Sequence, residues 1–566
     1  MTLPTRNSLL ALRRADFRSV PEMLDYAAKG ETGVTFYSVR GEILSALPWR
    51  EIRERAQVTA RRLIGAGFAP GERILVTADT WPGFFDAFFG AQYAGLLPVP
   101  VSVPVGIGGK DAYLDQLRRQ LAASGAVAAV GIEDLAGFLA DAAAEFPAVR
   151  LHGGMSVVDA LPEKQVDLRP LGPSDLCYIQ FSSGSTRHPH GVQITQSTLM
   201  ANLAGITGPA GLEVVPGDRA ASWLPLYHDM GLIGFLMAPL STQLSLDYLT
   251  PRDFARRPTQ WLNLISKNRG TIAYSPSFGY DLATRRASNQ PADLDLSSWR
   301  HAGIGGDMIR PDVLDRFAAT FEKAGFSRKA FIPSYGMAEV CLAITFSPHG
   351  TGVRTDTMAT DDGRRTRRFV LCGKVLPGHR LEVRDEAGKA LGDREVGRIF
   401  VAGPSIMPGY FGEPEATREV LSEGWLDTGD LGYTLDGEVV VTGRAKDLII
   451  VNGRNIWPQD IEWAIETRRV VKNGDSVAFS VDGPDSEDGG ERVVVAVLAR
   501  VSGEEGRKTL ASDVAQAVRE AIAVDCEVVL VPPSMGLPTT SSGKLSRSRA
   551  KANYLAGLYT PKTAAA

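Results

Sequence analysis

The feature that most constrains the fold is a regular alternation of short apolar runs and helical segments along the N-terminal half of the chain. The run RILVTAD at 73–79 predicts a strand, and WPGFFDAFFGAQYAG at 81–95 predicts a buried helix that ends at Gly95. A helix at 114–125 and the short apolar strand AVAAVGI follow. The same rhythm returns at 269–278 and 313–326. This alternation predicts an α/β fold built on doubly wound sheets.

The sequence changes character after about residue 380. Short runs separated by turn signals, such as GRIFVAG and GYTLDGEVVVTG, predict a small β-rich subdomain. Beyond Gly443, apolar runs and the helical segment TLASDVAQAVREAIA predict an α+β unit in which 482–491 is a polar hairpin loop. We therefore expect a large N-terminal domain over 1–442 and a small, mobile C-terminal domain over 443–566.

Composition excludes several classes of protein. A chain of 566 residues is too long for one core, and its net charge of −4 with a pI near 6.1 argues against a nucleic-acid or anionic-membrane partner. Four cysteines without paired spacing indicate neither a disulfide framework nor a zinc site. The N-terminus does not resemble a signal peptide, and the longest apolar run, from Gly231, is too short for a bilayer and predicts a buried helix. A cytoplasmic protein without a transmembrane segment is the expectation.

The segment FSSGSTRHPHG at 181–191 is rich in hydroxyl groups and glycine. Glycine lets backbone N–H groups approach an anion closely, and the hydroxyls can donate to its oxygens. The spacing is not that of the loop of kinases and GTPases, which requires Gly-x-x-x-x-Gly-Lys-Ser/Thr. The segment therefore predicts a phosphate site, and a solvated turn of small residues is the alternative.

Four further motifs carry candidate functional residues, each with a plain alternative. His228 beside Asp229 in LPLYHDMGLIG opens an apolar run, although a single histidine there is more often a core residue. The motif PSYGMAE at 333–339 sets an aromatic ring and a carboxylate around a glycine turn. Asp430 follows Gly429, a good position for a carboxylate that accepts from ribose hydroxyls, and Lys544 lies on a Ser-Gly-Lys loop that in isolation indicates only a surface lysine.

Taken together and in this order, the motifs resemble those of the adenylate-forming superfamily of acyl-CoA synthetases, luciferases and peptide-synthetase adenylation domains. The resemblance runs from VTFYSV near the N-terminus to TSSGKLSR near the C-terminus. Three features are most similar to the fatty acyl-AMP ligases: SGSTR with Arg187 where acyl-CoA synthetases usually have glycine, HDMGL after LPLY, and NIWPQDIE.

The resemblance implies a two-step reaction. A medium- or long-chain fatty acid attacks the α-phosphate of ATP to give acyl-AMP and pyrophosphate, with Mg²⁺ as the second cofactor. The phosphopantetheine thiol of an acyl carrier protein then takes the acyl group. A fatty acyl-CoA synthetase is the alternative, and a non-catalytic binding protein is a third reading that the retained motif residues disfavour.

The same resemblance implies a role for each matching residue. Lys544, His228 and Arg444 are the expected catalytic residues, Lys446 is the expected hinge, and Met230 and Phe278 are expected in the acyl tunnel wall. Glu339 and Thr186 are the expected Mg²⁺ ligands. The remaining expected nucleotide-binding residues are Ser182, Ser183, Gly184, Ser185, His190, Gly305, Gly306, Asp307, Ser334, Tyr335, Gly336, Met337 and Asp430.

Two departures from the family pattern affect these expectations. The phosphate loop usually ends Pro-Lys-Gly, but here it ends Pro189-His190-Gly191, and this predicts weaker ATP binding rather than loss of activity. The polar segment at 347–369 is longer than in acyl-CoA synthetases and looks shorter than the insertion of the ligases; it carries the basic residues Arg364, Arg365, Arg367 and Arg368. It is either a solvated loop, a restraint on the C-terminal domain, or a docking surface for an acidic carrier protein.

Overall fold

The computed structural model describes residues 4–104, 110–182, 190–289, 293–359, 366–451, 454–468, 470–482, 491–540 and 544–559. Its core is a nine-stranded sheet with a mostly parallel centre. In spatial order the strands are Lys374–Val375, Ala343–Phe346, Phe331–Gly336, His301–Ile304, Ile272–Ser275, Arg219–Ser222, Ser245–Leu249, Gly33–Tyr37 and Ile43–Pro48.

A second, four-stranded sheet is parallel throughout and is built from the segment that first suggested the fold. Its strands in spatial order are Leu97–Val101, Arg73–Thr77, Ala128–Gly131 and Leu151–Gly154. The helix Pro82–Ala94 is buried along its whole length and ends at Gly95 in the left-handed conformation, as predicted. A parallel sheet requires crossover helices, which the alternating sequence supplies. The predicted doubly wound α/β architecture is therefore confirmed.

Helices cover both sheets, and the longer ones end at or near the predicted residues. The segment predicted at 114–125 forms Lys110–Ser124, and the one predicted at 313–326 forms Pro311–Phe321. Each has an apolar face that is buried. The other helices of this part are Val20–Ala27, Trp49–Gly65, Ala136–Ala143, Ser156–Asp159, Gln196–Thr207, Asp229–Leu232, Ala238–Ser241, Pro251–Arg256, Thr259–Asn268 and Ser277–Arg285.

The apolar run that begins at Gly231 is buried, as predicted, but it is not a regular α-helix. Residues Ile233–Met237 form one turn of π-helix between the short helices Asp229–Leu232 and Ala238–Ser241. Turns of this kind are rare and often occur at functional sites. Across the described ranges, no helix is long and apolar enough to cross a membrane.

The β-rich part after residue 380 is confirmed. It is an antiparallel sheet of Arg380–Arg384, Gly397–Ala402, Trp425–Leu435, Leu421–Ser422 and Glu438–Arg444, and the helix Pro414–Val420 precedes its shortest strand. The register of the last hairpin sets Asp430 directly opposite Arg444. Two remaining antiparallel pairs are Leu176–Phe181 with Gly191–Thr195, and Thr355–Ala359 with Thr366–Val370.

The C-terminal part is an α+β unit with apolar clusters of its own, distinct from the large cluster of the N-terminal part. Asp482 pairs with Glu491, so the predicted hairpin is confirmed, while 483–490 lie outside the described residues. The ring of Trp457 packs on Gly443, where a Cβ would lie 2.2 Å from it. The division of the chain at residue 443 stays a prediction. The elements are Ile449–Val451, Arg454–Ile456, Pro458–Thr467, Ser476–Asp482, Glu491–Leu498, Glu504–Ile522, Cys526–Val531 and Arg547–Leu555.

Candidate active site

A cavity of about 450 Å³ lies where the carboxyl ends of the central strands meet the β-rich part and the C-terminal unit. Ligands of open α/β sheets bind at this end of the strands. Most of the residues singled out from the sequence line this one cavity. They are Ser182, His190, His228, Met230, Gly305, Gly306, Ser334, Tyr335, Gly336, Met337, Glu339, Arg444, Lys446 and Lys544.

The remaining candidates lie elsewhere or outside the described residues. Ser183, Gly184, Ser185 and Thr186 belong to the undescribed segment 183–189. Asp307 and Asp430 lie behind the cavity wall, next to residues that line it. Phe278 is 38% exposed, packs edge-on against Trp223 with ring centroids 5.6 Å apart, and does not line the cavity.

The two ends of the predicted phosphate loop are tied together at the cavity. The strands Leu176–Phe181 and Gly191–Thr195 form an antiparallel hairpin, and the Ser182 N–H donates to the His190 carbonyl at 3.0 Å. Ser182 and His190, the described residues on either side of 183–189, are therefore held together beside the cavity.

His190 is part of a polar cluster that sequence reasoning missed. Its Nδ1 lies 2.7 Å from Oε2 of Glu413, and its ring stacks on Tyr410 with centroids 4.6 Å apart. The Tyr410 hydroxyl in turn donates to Oε1 of Glu339 at 3.0 Å. His190 thus supports the tyrosine that orients the predicted Mg²⁺ ligand.

His228 is held by its neighbour and presents its second nitrogen to the site. Nδ1 lies 2.5 Å from Oδ1 of Asp229, whereas Nε2 is buried without a hydrogen-bond partner among the described residues. Burial alone would raise the pKa of Asp229, but the His228 ring lowers it below its usual value. An imidazole oriented in this way has one nitrogen available for a substrate, which is not what a satisfied core histidine offers.

Lys544 enters the cavity from the C-terminal unit. Its Nζ lies 3.9 Å from the point that a Cβ on Gly306 would occupy. Burial lowers the pKa of Lys544, and the Asp307 carboxylate acts in the opposite direction. Burial raises the pKa of Asp307 to about 6, although that carboxylate accepts from the Ser277 N–H at 3.1 Å. Asp307 thus anchors the helix Ser277–Arg285 and lies behind the lysine.

Asp430, Tyr335 and Arg444 form a second polar group across the cavity. The Tyr335 hydroxyl donates to Oδ2 of Asp430 at 2.7 Å, and Nε of Arg444 lies 3.5 Å from Oδ1. Burial raises the pKa of Asp430, while the Arg444 charge acts against this. The carboxylate is therefore oriented by two neighbours beside Thr428 and Gly429, which line the cavity.

Glu339 is the one described carboxylate among the expected metal ligands. Burial raises its pKa, so a cation beside it would relieve an unfavourable buried charge. Among the described residues there is no cluster of three or more potential metal ligands. Mg²⁺ at phosphoryl-transfer sites usually takes only one or two carboxylates and completes its shell with water and substrate phosphates, so a single Glu fits.

One wall of the cavity is apolar. Met230 lies there, and the others are Ile206, Leu212, Phe235, Leu342 and Phe346. Phe235 belongs to the π-helical turn, whereas Leu342 and Phe346 follow the PSYGMAE motif. The run after His228 and the segment after Glu339 were the available sequence signals. Ile206 lies on the helix Gln196–Thr207 and Leu212 lies in the turn after it, and neither segment carries such a signal.

Comparison with known proteins agrees with this geometry. The model of the AMP-binding enzyme family matches residues 28–411. A Caulobacter vibrioides protein with the provisional name acyl-CoA synthetase is 47% identical over 579 residues, 99% of each chain. JamA of Moorena producens, a medium-chain-fatty-acid–[acyl-carrier-protein] ligase, is 30% identical over 591 residues, 96% of each chain.

A solved structure from a study of fatty acyl-adenylate ligases of E. coli and L. pneumophila is similar to the whole chain. It has a TM-score of 0.91 at 42% sequence identity and covers 97% of this chain and 100% of that chain. Fold and cavity thus define an adenylate-forming enzyme, and the chain belongs to the AMP-binding enzyme family. Within that family it is similar to proteins named as fatty-acid–AMP and fatty acyl-adenylate ligases, so the resemblance drawn from the motifs is confirmed.

The His190–Glu413 contact changes what a lysine at position 190 would do. We expect His190→Lys to lower the KM for ATP by no more than about fivefold, which corresponds to about 1 kcal/mol of binding free energy. The gain is limited because the new ammonium pairs with Glu413 instead of acting on phosphate alone. The double variant His190→Lys/Glu413→Gln should lower the KM further. Pyrophosphate exchange at varied ATP concentration measures both, and a higher KM in the double variant would contradict this account.

Proposed function

We propose that this enzyme converts a medium- or long-chain fatty acid and ATP to acyl-AMP and pyrophosphate, and then passes the acyl group to the thiol of an acyl carrier protein. The observation that carries the proposal is the meeting of Lys544, His228 and Arg444 in one cavity that has an apolar wall. A carboxylate can lie between the cationic and the apolar parts with its chain along that wall.

The first step brings two anions together, so the enzyme has to offset their repulsion. A carboxylate oxygen attacks the α-phosphorus, and the bond to the bridging oxygen of pyrophosphate breaks. Lys544 and Arg444 are the cations that face this point, and fixed charges in a site that excludes water stabilise the charge on the transferring phosphoryl group. In this proposal, Nε2 of His228 faces the substrate carboxylate.

The nucleotide is held by groups on the opposite side of the cavity. Asp430, oriented by Tyr335, accepts from the ribose hydroxyls, and Ser182 takes the β- and γ-phosphates together with the predicted residues 183–186, which lie outside the described residues. Mg²⁺, when bound, would offset the negative charge on the phosphates. Glu339, with Tyr410 as its hydrogen-bond donor, is the described residue that would hold the ion.

ATP–pyrophosphate exchange with purified enzyme tests the first step. Exchange should depend on fatty acids of medium or long chain and not on amino acids or aryl acids, because the cavity wall is apolar. Acyl-AMP should accumulate when no acceptor is added. Exchange driven best by an amino acid would overturn the proposal and favour a peptide-synthetase activity.

The choice of acceptor is the finer part of the proposal. The relative JamA is named as a carrier-protein ligase, whereas the Caulobacter relative has the provisional name of an acyl-CoA synthetase. The segment 347–369 supports a carrier protein as the acceptor of the acyl group. Its hairpin strand Thr366–Val370 contains Arg367, which is only 11% exposed and therefore does not belong to a solvated loop.

Arg367 reaches across to the C-terminal helix Pro458–Thr467. Its Nε lies 2.9 Å from Oδ1 of Asp460, and its guanidinium faces the rings of Trp457 and Trp463 at 5.8 and 6.0 Å. Arg310 forms a second ion pair with this helix, at 2.6 Å to Glu466. These contacts favour the restraint over the docking surface as the role of the segment, because they hold the C-terminal unit where Lys544 faces the cavity.

Loss of the Arg367–Asp460 contact should raise the rate of acyl transfer to coenzyme A more than the rate of transfer to a carrier protein. A docked carrier contributes binding energy from its own surface to turn the C-terminal unit, whereas coenzyme A is too small to contribute as much. We expect Arg367→Ala to raise the rate with coenzyme A about tenfold relative to the carrier, since about 1.4 kcal/mol shifts a two-state population by that factor.

Arg368→Ala is the matched control for this experiment. Arg368 is the next residue on the same strand, is 46% exposed and pairs with Asp315 within the N-terminal part. Its loss should leave the ratio of the two rates unchanged. If the ratio of the coenzyme A rate to the carrier-protein rate is the same in wild type and Arg367→Ala, the contact of Arg367 does not restrain the C-terminal unit. Rapid acyl-CoA formation by wild type would make the enzyme an acyl-CoA synthetase.

A further inference from the structure

Tyr274 stands in the cavity wall on the strand Ile272–Ser275 and is only 5% exposed. Its ring packs against Phe235 and Phe346, with centroids 6.0 and 6.5 Å away. On the sheet side it lies directly over Gly303, where a Cβ would come within 1.8 Å of the ring. The ring is therefore fixed between the sheet and the apolar wall.

The hydroxyl of this fixed ring has no hydrogen-bond partner among the described residues. The nearby Ser334 hydroxyl donates to the Ile304 carbonyl at 3.2 Å, which leaves its oxygen able to accept, but it does not reach hydrogen-bond geometry with the Tyr274 hydroxyl. Burial raises the pKa of Tyr274, so the group stays a neutral phenol that can both donate and accept. A buried hydroxyl that makes no hydrogen bond is unfavourable, and the cavity is the side from which a ligand can supply a partner.

Neighbouring contacts relate this hydroxyl to the reacting end of the cavity. Ser334 touches Gly305, where a Cβ would lie 2.9 Å from the Ser334 Oγ, and Gly306 is the residue beside Lys544. Tyr274 and the catalytic lysine thus line the same cavity and are linked through Ser334, Gly305 and Gly306. A partner for its hydroxyl belongs near the carboxyl end of an acyl group and not at its far end.

We propose that Tyr274 is a specificity-determining residue that selects fatty acids with a hydroxyl group near the carboxyl end. This rests on the proposed function, because it assumes that an acyl chain occupies the apolar side of the cavity. A saturated chain leaves the phenol unpaired after it has displaced water from the site. A hydroxylated chain of the same length pairs with it, and sites built to bind a substrate hydroxyl discriminate strongly against analogues that lack it.

The experiment compares matched acids with the full-length enzyme. Pyrophosphate exchange is measured with decanoate, α-hydroxydecanoate and β-hydroxydecanoate for wild type and Tyr274→Phe. Wild type should use one of the hydroxy acids with a kcat/KM about tenfold or more above that of decanoate. Tyr274→Phe should lose this preference through a lower kcat/KM for the hydroxy acid, with decanoate unchanged or improved, because the ring and its packing remain.

Tyr178→Phe is the control. The Tyr178 hydroxyl is also buried without a hydrogen-bond partner among the described residues, but this residue does not line the cavity, so the control should keep the wild-type preference. Equal use of decanoate and both hydroxy acids by wild type would overturn the inference alone, as would a preference that persists in Tyr274→Phe. If none of the acids supports exchange, the proposed function falls and the inference falls with it.

Discussion

Lys544→Ala is expected to reduce acyl-AMP formation by about 10²–10³-fold, which corresponds to about 3–4 kcal/mol of lost transition-state stabilisation. The lysine lines the cavity beside Gly306, and Arg444 and Lys446 line the same cavity. It faces both the attacking carboxylate and the α-phosphate in the proposed reaction, so its loss removes positioning as well as charge. Pyrophosphate exchange measures the effect directly.

The same variant should separate the two half-reactions. If the C-terminal unit turns for the second step, Lys544 leaves the cavity, and Lys544→Ala supplied with preformed acyl-AMP should load a carrier protein at near the wild-type rate. Lys508→Ala, on an exposed helix face, is the control and should leave both steps unchanged. Equal loss of both steps in a variant with a wild-type circular dichroism spectrum would mean that the lysine stays in the site. Intact adenylation would refute its catalytic assignment.

Local sequence signals were sufficient to predict strands and helices of the N-terminal part. The strand Arg73–Thr77 and the helix Pro82–Ala94 lie within two residues of their predicted ends, because an apolar run and a glycine cap act over short distances. The order of the motifs was sufficient to single out many of the residues that line the cavity. Among them are His228, Glu339 and Lys544, which are far apart in the chain and meet at the strand ends.

The partners of those residues could not be predicted, since tertiary packing supplies them. Glu413 approaches His190 from 223 residues away, and Asp460 approaches Arg367 across two parts of the chain. The position of Phe278 outside the cavity lining has a simpler cause. Successive helical residues point about 100° apart, so on the helix Ser277–Arg285 the neighbour Ser277 faces Asp307 while Phe278 turns toward Trp223.

The second large effect is expected from Arg547→Met in the C-terminal unit. Arg547 donates to both oxygens of Glu462, at 3.0 and 2.7 Å, and to Asp447 at 3.0 Å. The side chain of Glu462 is only 6% exposed. Removing one partner of a buried ion pair leaves the other charge uncompensated and typically costs about 3–5 kcal/mol. Calorimetric and urea unfolding of the full chain should show a less stable transition for the variant.

Arg549→Met is the matched control for stability, because Arg549 is exposed two residues further on the same helix and, among the described residues, donates to the carbonyl of Thr539. Its effect should stay within about 0.5 kcal/mol. Adding Glu462→Gln to Arg547→Met should restore part of the lost stability, since the uncompensated charge is then absent. If the double variant is no more stable than the single one, lost packing and not the buried charge explains the effect.

The pH dependence of the loss gives an independent check. Burial already raises the pKa of Glu462 in the wild type, although Arg547 counteracts it, and without Arg547 the pKa should rise further. The folded variant then binds a proton that the unfolded chain releases, so its stability should fall as the pH rises and recover toward acidic pH. The deficit relative to wild type is therefore expected to shrink on acidification. Because Arg547 ties the segment after Lys544 to Asp447, beside the predicted hinge, adenylation should decline together with stability. A variant that is less stable by the same amount at every pH would show that the Glu462 charge is not the cause.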